Sequence, residues 1–465
     1  WQPTGFVATE GQATPYMNDQ TLLITNALIC NEGRVVAGDV LVRRGRIEKV
    51  AREIPAGRVD RIIDAGGKYL LPGFIDDQVH FREPGLTHKA TISTESAAAV
   101  AGGITSYMDM PNTIPNVTSR AVLMDKYRLA RGRSHANYSF YFGAANDNLD
   151  EIRGLRPGDC CAVKMFMGSS TGNMLVDNPE ILERIFAECP MLIATHCEDT
   201  PMIKANEERF RQQYGDAVPF SMHPQIRSPE SAWKSSELAV SLAKRHNARL
   251  HVLHLSTARE LELFAPGALN GKRITAEVCV HMLHFDDRAY AERGARIKCN
   301  PPIRSAEDRK ALLGGLVDGR IAVIATDHAP HTLAEKSESY FKAPSGLPLV
   351  QHALLMLLEH VHDGTLPLEL IVEKTSHSVA DLFGIRERGY IREGYWADLV
   401  LIDHRRPTLV RREDVLSKCG WSPFEGDTFR SSIVATIVNG VVAYENGCVT
   451  PAIAGQRLEC GGVHD

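Results

Sequence analysis

A chain of 465 residues, 44% apolar and 23% charged, has room for one large α/β barrel with an appendage or for two or three average domains. Its formal net charge of −5 leaves no basic footprint for nucleic acid, and no run reaches the roughly 18 consecutive apolar residues that a membrane span needs. Ten cysteines are scattered without zinc-finger pairing, which points to reduced thiols and a cytoplasmic setting rather than a disulfide framework.

The first residues, from Trp1, carry neither a basic nor an apolar leader pattern, and 1–16 read as a flexible extension. Stretches 22–30 and 61–71 read as strands, and 39–50 as two strands around a turn at Arg44-Gly45. Eight short apolar runs follow, at 73–80, 104–111, 138–144, 161–167, 192–198, 249–256, 274–281 and 321–328. Each ends in polar residues, and several lead into helical stretches such as 94–101 and 228–244. Buried, non-alternating strands alternating with helices predict an α/β fold, a (β/α)8 barrel over 73–384. A doubly wound open sheet is the alternative, but the glycine-rich phosphate fingerprint expected after its first strand is absent. Near the end, 397–403 is a short apolar strand and 433–444 a hairpin with the Asn439-Gly440 turn signal. Each chain end has too few strands to bury a face, so 17–72 and 385–465 are expected to join into one small flanking β domain.

Several strand ends carry metal-binding residue types. His80 closes the first run after Asp76, Asp77 and Gln78; alone, a histidine there is more commonly a hydrogen-bonded core residue than a ligand. His196 closes the fifth run, His254 the sixth and Asp327 the eighth. Three imidazoles and a carboxylate on one barrel rim suit zinc, which favours nitrogen and oxygen donors. Lys164 lies in the otherwise apolar fourth run, where a free ammonium is costly to desolvate. Either it reaches the barrel mouth or an acid, or its amine adds CO2 to give an anionic carbamate able to bridge two cations roughly 3.5–4 Å apart. The planar guanidinium of Arg82 suits a bidentate grip on a carboxylate, the mundane alternative being a surface pair with Glu83. His251, His281, His284, His328 and Glu277 read as core or rim residues, and Cys197 as packing, because it points away from the His196 side.

The segments Pro72-Gly-Phe-Ile-Asp-Asp-Gln-Val-His-Phe-Arg-Glu-Pro-Gly85, Met110-Pro-Asn-Thr113, Lys298-Cys-Asn-Pro-Pro302 and Thr326-Asp-His-Ala-Pro-His331 carry a resemblance. Over about 22–444 the chain resembles the dihydroorotases of the cyclic amidohydrolase group. That resemblance implies an amidohydrolase barrel with a flanking β domain, and a small-molecule reaction, the reversible closure of N-carbamoyl-aspartate to dihydroorotate in pyrimidine biosynthesis. It implies His80, Lys164, His196, His254 and Asp327 as ligands of one or two zinc ions, with Lys164 carboxylated, and Asp327 also as the proton-exchanging acid. Arg82, Asn112 and His331 are implied on the substrate carboxylate, Asn300 on the ring amide, and the loop around Gly346 along the substrate. Dimers or tetramers are common in the family, and aspartate transcarbamoylase is a family partner.

One position departs from the pattern, since the family's His-x-His pair here reads Gln78-Val79-His80. Four outcomes are open. Gln78 binds the first metal through its oxygen; that metal rests on His80, the carbamate and Asp327; one metal is held by His196 and His254; or catalysis is lost, as in dihydroorotase-like partners of aspartate transcarbamoylase. The intact remainder of the set argues for an active enzyme. The rival ring hydrolases are dihydropyrimidinase or hydantoinase and allantoinase. Their rings lack a carboxylate placed as in dihydroorotate, so they have less use for Arg82 with His331.

Overall fold

The computed structural model describes residues 20–168 and 173–461, so the expected extension at 1–16 lies outside the described residues. Five strands come first: β1 (Leu22–Asn31), β2 (Arg34–Arg43), β3 (Arg46–Ala51), β4 (Arg61–Asp64) and β5 (Tyr69–Pro72). The single strand expected at 61–71 is therefore two, because Gly66 and Gly67, both at positive φ, turn the chain between them. Arg44-Gly45 and Asn439-Gly440 both have the left-handed backbone of tight hairpins, with φ of 50° and 76° in the first and 50° and 74° in the second.

Next come β6 (Phe74–Val79), β7 (Ile104–Asp109), β8 (Asn137–Phe140), β9 (Phe142–Gly143), β10 (Val163–Phe166), β11 (Ile193–His196), β12 (Leu250–Val252), β13 (Ile274–Cys279) and β14 (Val323–Ala325). All pair in parallel, in two arcs, β6-β7-β8 and β9 through β14. With β8 and β9 counted as one strand interrupted at Tyr141, they are the eight strands of a (β/α)8 barrel, and a parallel bridge between Val79 and His328 closes the ring. Side chains fill the interior and helices cover the outside, so these strands are buried on both faces. At the strand starts, Ile75, Ala162, Leu192 and Val323 pack on Val379, Ala380 and Phe383 of the helix Ser378–Phe383. That helix plugs one end of the barrel and leaves the other for polar residues.

The chain finishes with β15 (Leu399–Asp403), the antiparallel two-residue pair β16 (Thr408–Leu409) and β17 (Thr428–Phe429), then β18 (Ser432–Val438), β19 (Val441–Glu445) and β20 (Cys448–Val449). β15 lies antiparallel between β5 and β18, so both chain ends share one nine-stranded sheet. Leu22, Ile24, Val40 and Leu70 from one end pack with Leu399 and Ile437 from the other, which is why neither end is complete alone. Residues 451–460, grouped with this sheet by the sequence, run along the barrel instead: Leu458 N donates to Tyr138 O and Tyr138 N to Gln456 O, both at 2.9 Å. Among the described residues no helix is long and apolar enough to cross a membrane.

Candidate metal centre and substrate cavity

The open strand ends surround a cavity of about 280 Å³. It is lined by every residue nominated above: Gln78, His80, Arg82, Asn112, Lys164, His196, His254, Asn300, Asp327, His331 and Gly346. Phe166, Ala329, Pro344 and Ser345 complete the wall. Three lining residues hold non-glycine backbone at positive φ, Arg82 at 66°, His254 at 40° and Asp327 at 51°. Such conformations cost about 1–3 kcal/mol each and persist where the surrounding fold imposes them to aim a side chain.

β11 ends on His196, and the turn after β12 carries His254. His196 Nε2 lies 2.8 Å from Glu198 Oε2, and Arg227 grips the same carboxylate, Nε to Oε1 at 2.9 Å. Burial opposes ionisation of Glu198, but Arg227 and His196 hold its carboxyl well below the usual range. The carboxylate therefore accepts a hydrogen bond from Nε2–H of His196, which leaves Nδ1 as a lone pair, 3.0 Å from His254 Nε2. Burial lowers the proton affinity of both rings. Two ring nitrogens converging at a buried point is the arrangement that ligands of one cation need.

Lys164 on β10 faces the same cavity. Among the described residues its Nζ forms no ion pair or hydrogen bond, only a contact with the Phe166 ring at 4.6 Å. Burial pushes its ammonium down to about 8, against the weaker opposing pull of Asp327 and Glu277. No acid pairs with it.

The opposite side of the cavity is built differently. His80 Nδ1 donates to Asn112 Oδ1 at 2.8 Å, which turns its Nε2 toward Asp327 Oδ1 at 3.1 Å. Burial favours a neutral Asp327, yet the hydrogen bond and charge of His80 hold its carboxyl down to about 2. Gln78 donates its amide Nε2 to the same Oδ1 at 3.2 Å, and its Oε1 stands 3.8 Å from Cys279 Sγ. Gln78 is thus a donor to Asp327 here, with its oxygen turned to Cys279. Asp76 ties the two strand ends together by accepting from Thr326 N at 3.0 Å and Thr326 Oγ1 at 2.6 Å.

At the substrate end, Arg82 Nε donates to Pro330 O at 3.1 Å and its Nη2 lies 3.0 Å from His331 Nε2. His331 Nε2 also lies 3.0 Å from Ser345 O, and Lys89 Nζ is 2.9 Å from Nδ1. A carbonyl needs a donor, so the ring proton sits on Nε2 and Nδ1 accepts from Lys89. Burial and the charges of Arg82 and Lys89 push His331 far below its usual range, so the ring is neutral between two cations. Glu83 pairs with Arg133 at 2.9 Å rather than with Arg82. Asn300 Oδ1 accepts from Ser345 Oγ at 3.0 Å. Gly346, at φ 142°, lies so close to its neighbours that a Cβ would come within 2.4 Å of Ala329 O.

Sequence patterning does not single out Glu198, Arg227 or Lys89. The two-residue spacing from His196 to Glu198, which places both on one face of an extended run, is the signal that could have found Glu198. Arg227 and Lys89 sit in connecting segments and carry no local signal. The donor set of His80, Lys164, His196, His254 and Asp327 fits a divalent metal of the zinc class.

A model of the amidohydrolase family matches residues 69–443. A dihydroorotase of Methanosarcina acetivorans is 35% identical over 415 residues, covering 87% of this chain and 88% of that protein. An allantoinase of Desulfitobacterium hafniense is 30% identical over 455 residues, covering 95% and 99% respectively. The solved L-hydantoinase (dihydropyrimidinase) of Arthrobacter aurescens superposes with a TM-score of 0.89 at 28% identity, over 94% of this chain and 99% of that one.

Proposed function

The chain belongs to the amidohydrolase family and is a metal-dependent hydrolase of cyclic amides; on that premise we propose that it is a dihydroorotase, interconverting (S)-dihydroorotate and N-carbamoyl-L-aspartate. The observation that carries this reading is the pair Arg82 and His331, which lines one cavity with the metal-site histidines and Lys164, His331 being backed by Lys89. A ring bearing a carboxylate would be gripped there by the Arg82 guanidinium with Asn112 beside it. Anchoring one end converts attack on the ring amide into a positioned event, with Asn300 on the amide side.

One or two zinc ions would rest on His80, Lys164, His196, His254 and Asp327. Zinc bound there supplies a Lewis acid for the ring carbonyl and acidifies water. Asp327, ionised and facing the cavity, accepts the water proton and returns it to the ring nitrogen as the C–N bond breaks. The neutral amine of Lys164 adds CO2 with loss of one proton, which replaces an unpaired buried cation by an anionic ligand. Gln78 serves by bracing Asp327 rather than by ligation. The proposal extends to a homodimer or homotetramer in the cytoplasm, measured by light scattering alone and with aspartate transcarbamoylase.

Turnover of dihydroorotate, N-carbamoyl-aspartate, dihydrouracil, hydantoin and allantoin by the zinc-loaded chain tests the assignment. Dihydroorotate and N-carbamoyl-aspartate are expected to show the highest kcat/KM. A preference for a ring without a carboxylate would overturn it. Allantoinase is the second reading, favoured by the near-complete span of that relative, and the same panel decides it. Absence of turnover on every ring would favour the non-catalytic partner to which Gln78 gives weight.

A further inference from the structure

Beneath the cavity, the barrel interior brings together three ionisable side chains that the proposed reaction does not use: Asp77 on β6, His251 on β12 and Glu277 on β13. All three are 0% exposed, and none lines the cavity. The His251 ring packs edge-on against Phe383 of the plugging helix, ring centres 6.0 Å apart, so the cluster is sealed between plug and cavity floor. Among the described residues, both carboxylate oxygens of Asp77, Oε2 of Glu277 and Nε2 of His251 have no hydrogen-bond partner. Buried polar atoms are almost always paired, so four orphans at one point call for an occupant.

The tautomer of His251 narrows what that occupant is. Thr275 Oγ1 donates to Leu250 O at 3.3 Å, so its proton is committed and it accepts from His251 Nδ1–H at 2.8 Å. Nε2 is aimed at carboxylate oxygens, 3.5 Å from Asp77 Oδ2 and 3.7 Å from Glu277 Oε2; burial works against a charge on the ring, yet these two carboxylates raise its proton affinity, as they would favour any cation placed between them. Glu277 is braced in the same sense: its Oε1 accepts from His254 N at 3.1 Å and from the Cys279 thiol at 3.5 Å, which leaves Oε2 for the cluster. A proton on Nε2 would draw one oxygen to about 2.7–2.9 Å, and neither comes that near. Donors about 2.0–2.2 Å from a common tetrahedral zinc stand about 3.3–3.6 Å from one another, close to the spacing seen.

We propose that Asp77, His251 and Glu277 form a further, buried site for a divalent cation of the zinc class, separate from the catalytic centre. Two carboxylates neutralise its charge, the imidazole supplies the nitrogen donor, and Thr275 fixes the ring from behind. Bound there, the cation links β6 to the adjacent strands β12 and β13, neither of which pairs with β6. Because the site is sealed, the ion resists a chelator that strips the open cavity. Nothing in this inference depends on which ring the enzyme opens, since a catalytically silent chain would bind the ion equally.

Crystals of the zinc-loaded full chain, measured above and below the zinc absorption edge, are expected to show an anomalous peak within bonding distance of Asp77, His251 Nε2 and Glu277 Oε2. Ordered side chains with no peak between them would overturn the proposal. In solution, the wild-type chain should retain about one zinc after chelator dialysis, and Asp77→Asn and His251→Gln should each lose it. Folded variants that keep the wild-type zinc count would overturn it equally. The diffraction measurement uses the wild-type chain, so it decides the matter even where a variant does not fold.

Discussion

On the β11–β12 side of the cavity, His196 is pinned by Glu198 and Arg227 and meets His254 at 3.0 Å; on the β6–β14 side, His80 meets Asp327 at 3.1 Å and shares it with the Gln78 amide. The first side offers two ring nitrogens, one made more basic by a buried carboxylate that accepts a hydrogen bond from the N–H at the far side of its ring. The second offers one nitrogen and a carboxylate already engaged by two neighbours. At position 78 an amide thus stands where the resemblance implies a second imidazole beside His80, on the side of Asp327, while the side that concentrates nitrogen donors keeps both of its histidines. On the proposed reading, metal affinity and proton transfer are divided between two walls of one cavity.

The sharpest way to break that division is Asp327→Asn, which keeps the shape but removes the base. We expect kcat to fall about 10²- to 10⁴-fold in both directions of the reaction, read by steady-state kinetics. A loss of under about tenfold would place the proton on another group. Lys164, between the walls, gives the next largest effect. Burial sets its folded pKa at about 8 against 10.5 for the free side chain. Below pH 8 both states are protonated and the fold carries the whole penalty. As pH climbs from 8 to 10.5 the unfolded chain binds more protons, so stability rises by about 3 kcal/mol. In metal-free, CO2-free buffer the urea-unfolding curves of wild type and Lys164→Met should therefore converge in relative stability across that window. Parallel behaviour would mean that the amine is solvated.

Smaller effects test each wall and the anchor beyond them. Glu198→Gln removes the carboxylate behind His196 and should weaken zinc binding about 10- to 100-fold in a competition titration. No change would show that Glu198 serves Arg227 rather than the metal. Arg82→Lys loses the planar fork and should raise KM for dihydroorotate about 10- to 100-fold, the loss of about 1.5–3 kcal/mol expected for a charged hydrogen bond. Any activity on dihydrouracil, which has no carboxylate, should not move.

Much of this site is legible in the sequence because parallel barrel strands are buried on both faces and read as mainly apolar runs, so a polar residue at a run's end stands out. His80, His196, His254 and Asp327 are visible for that reason, and Lys164 as a cation inside an apolar run; all line the one cavity. The meeting of Asp77, His251 and Glu277 is not legible, since periodicity tells which way a side chain points but not which inward residues of distant strands meet after closure. Arg227 escapes notice because it lies just before the helix Pro229–His246, outside any periodic run. The turn at Gly66-Gly67 and the interruption at Tyr141 are local departures inside runs that otherwise read as single strands. At Gln78 the sequence names the side chain but not which end of its amide faces Asp327.

That last point sets the smallest and most discriminating prediction. Gln78→His would place a second imidazole beside His80 and remove a donor from Asp327. If position 78 acts mainly through the metal, zinc binding on the β6 side should tighten in a limiting-zinc titration, because imidazole is the better zinc donor, and turnover should rise modestly. If the amide acts mainly by bracing Asp327, Gln78→Leu should lower kcat while leaving the zinc count unchanged, and Gln78→His should add zinc without adding turnover. The contact of 3.2 Å from Gln78 Nε2 to Asp327 Oδ1, with the amide oxygen turned toward Cys279, favours the bracing outcome. A tighter zinc together with faster turnover in Gln78→His would reverse that assignment and return position 78 to the metal.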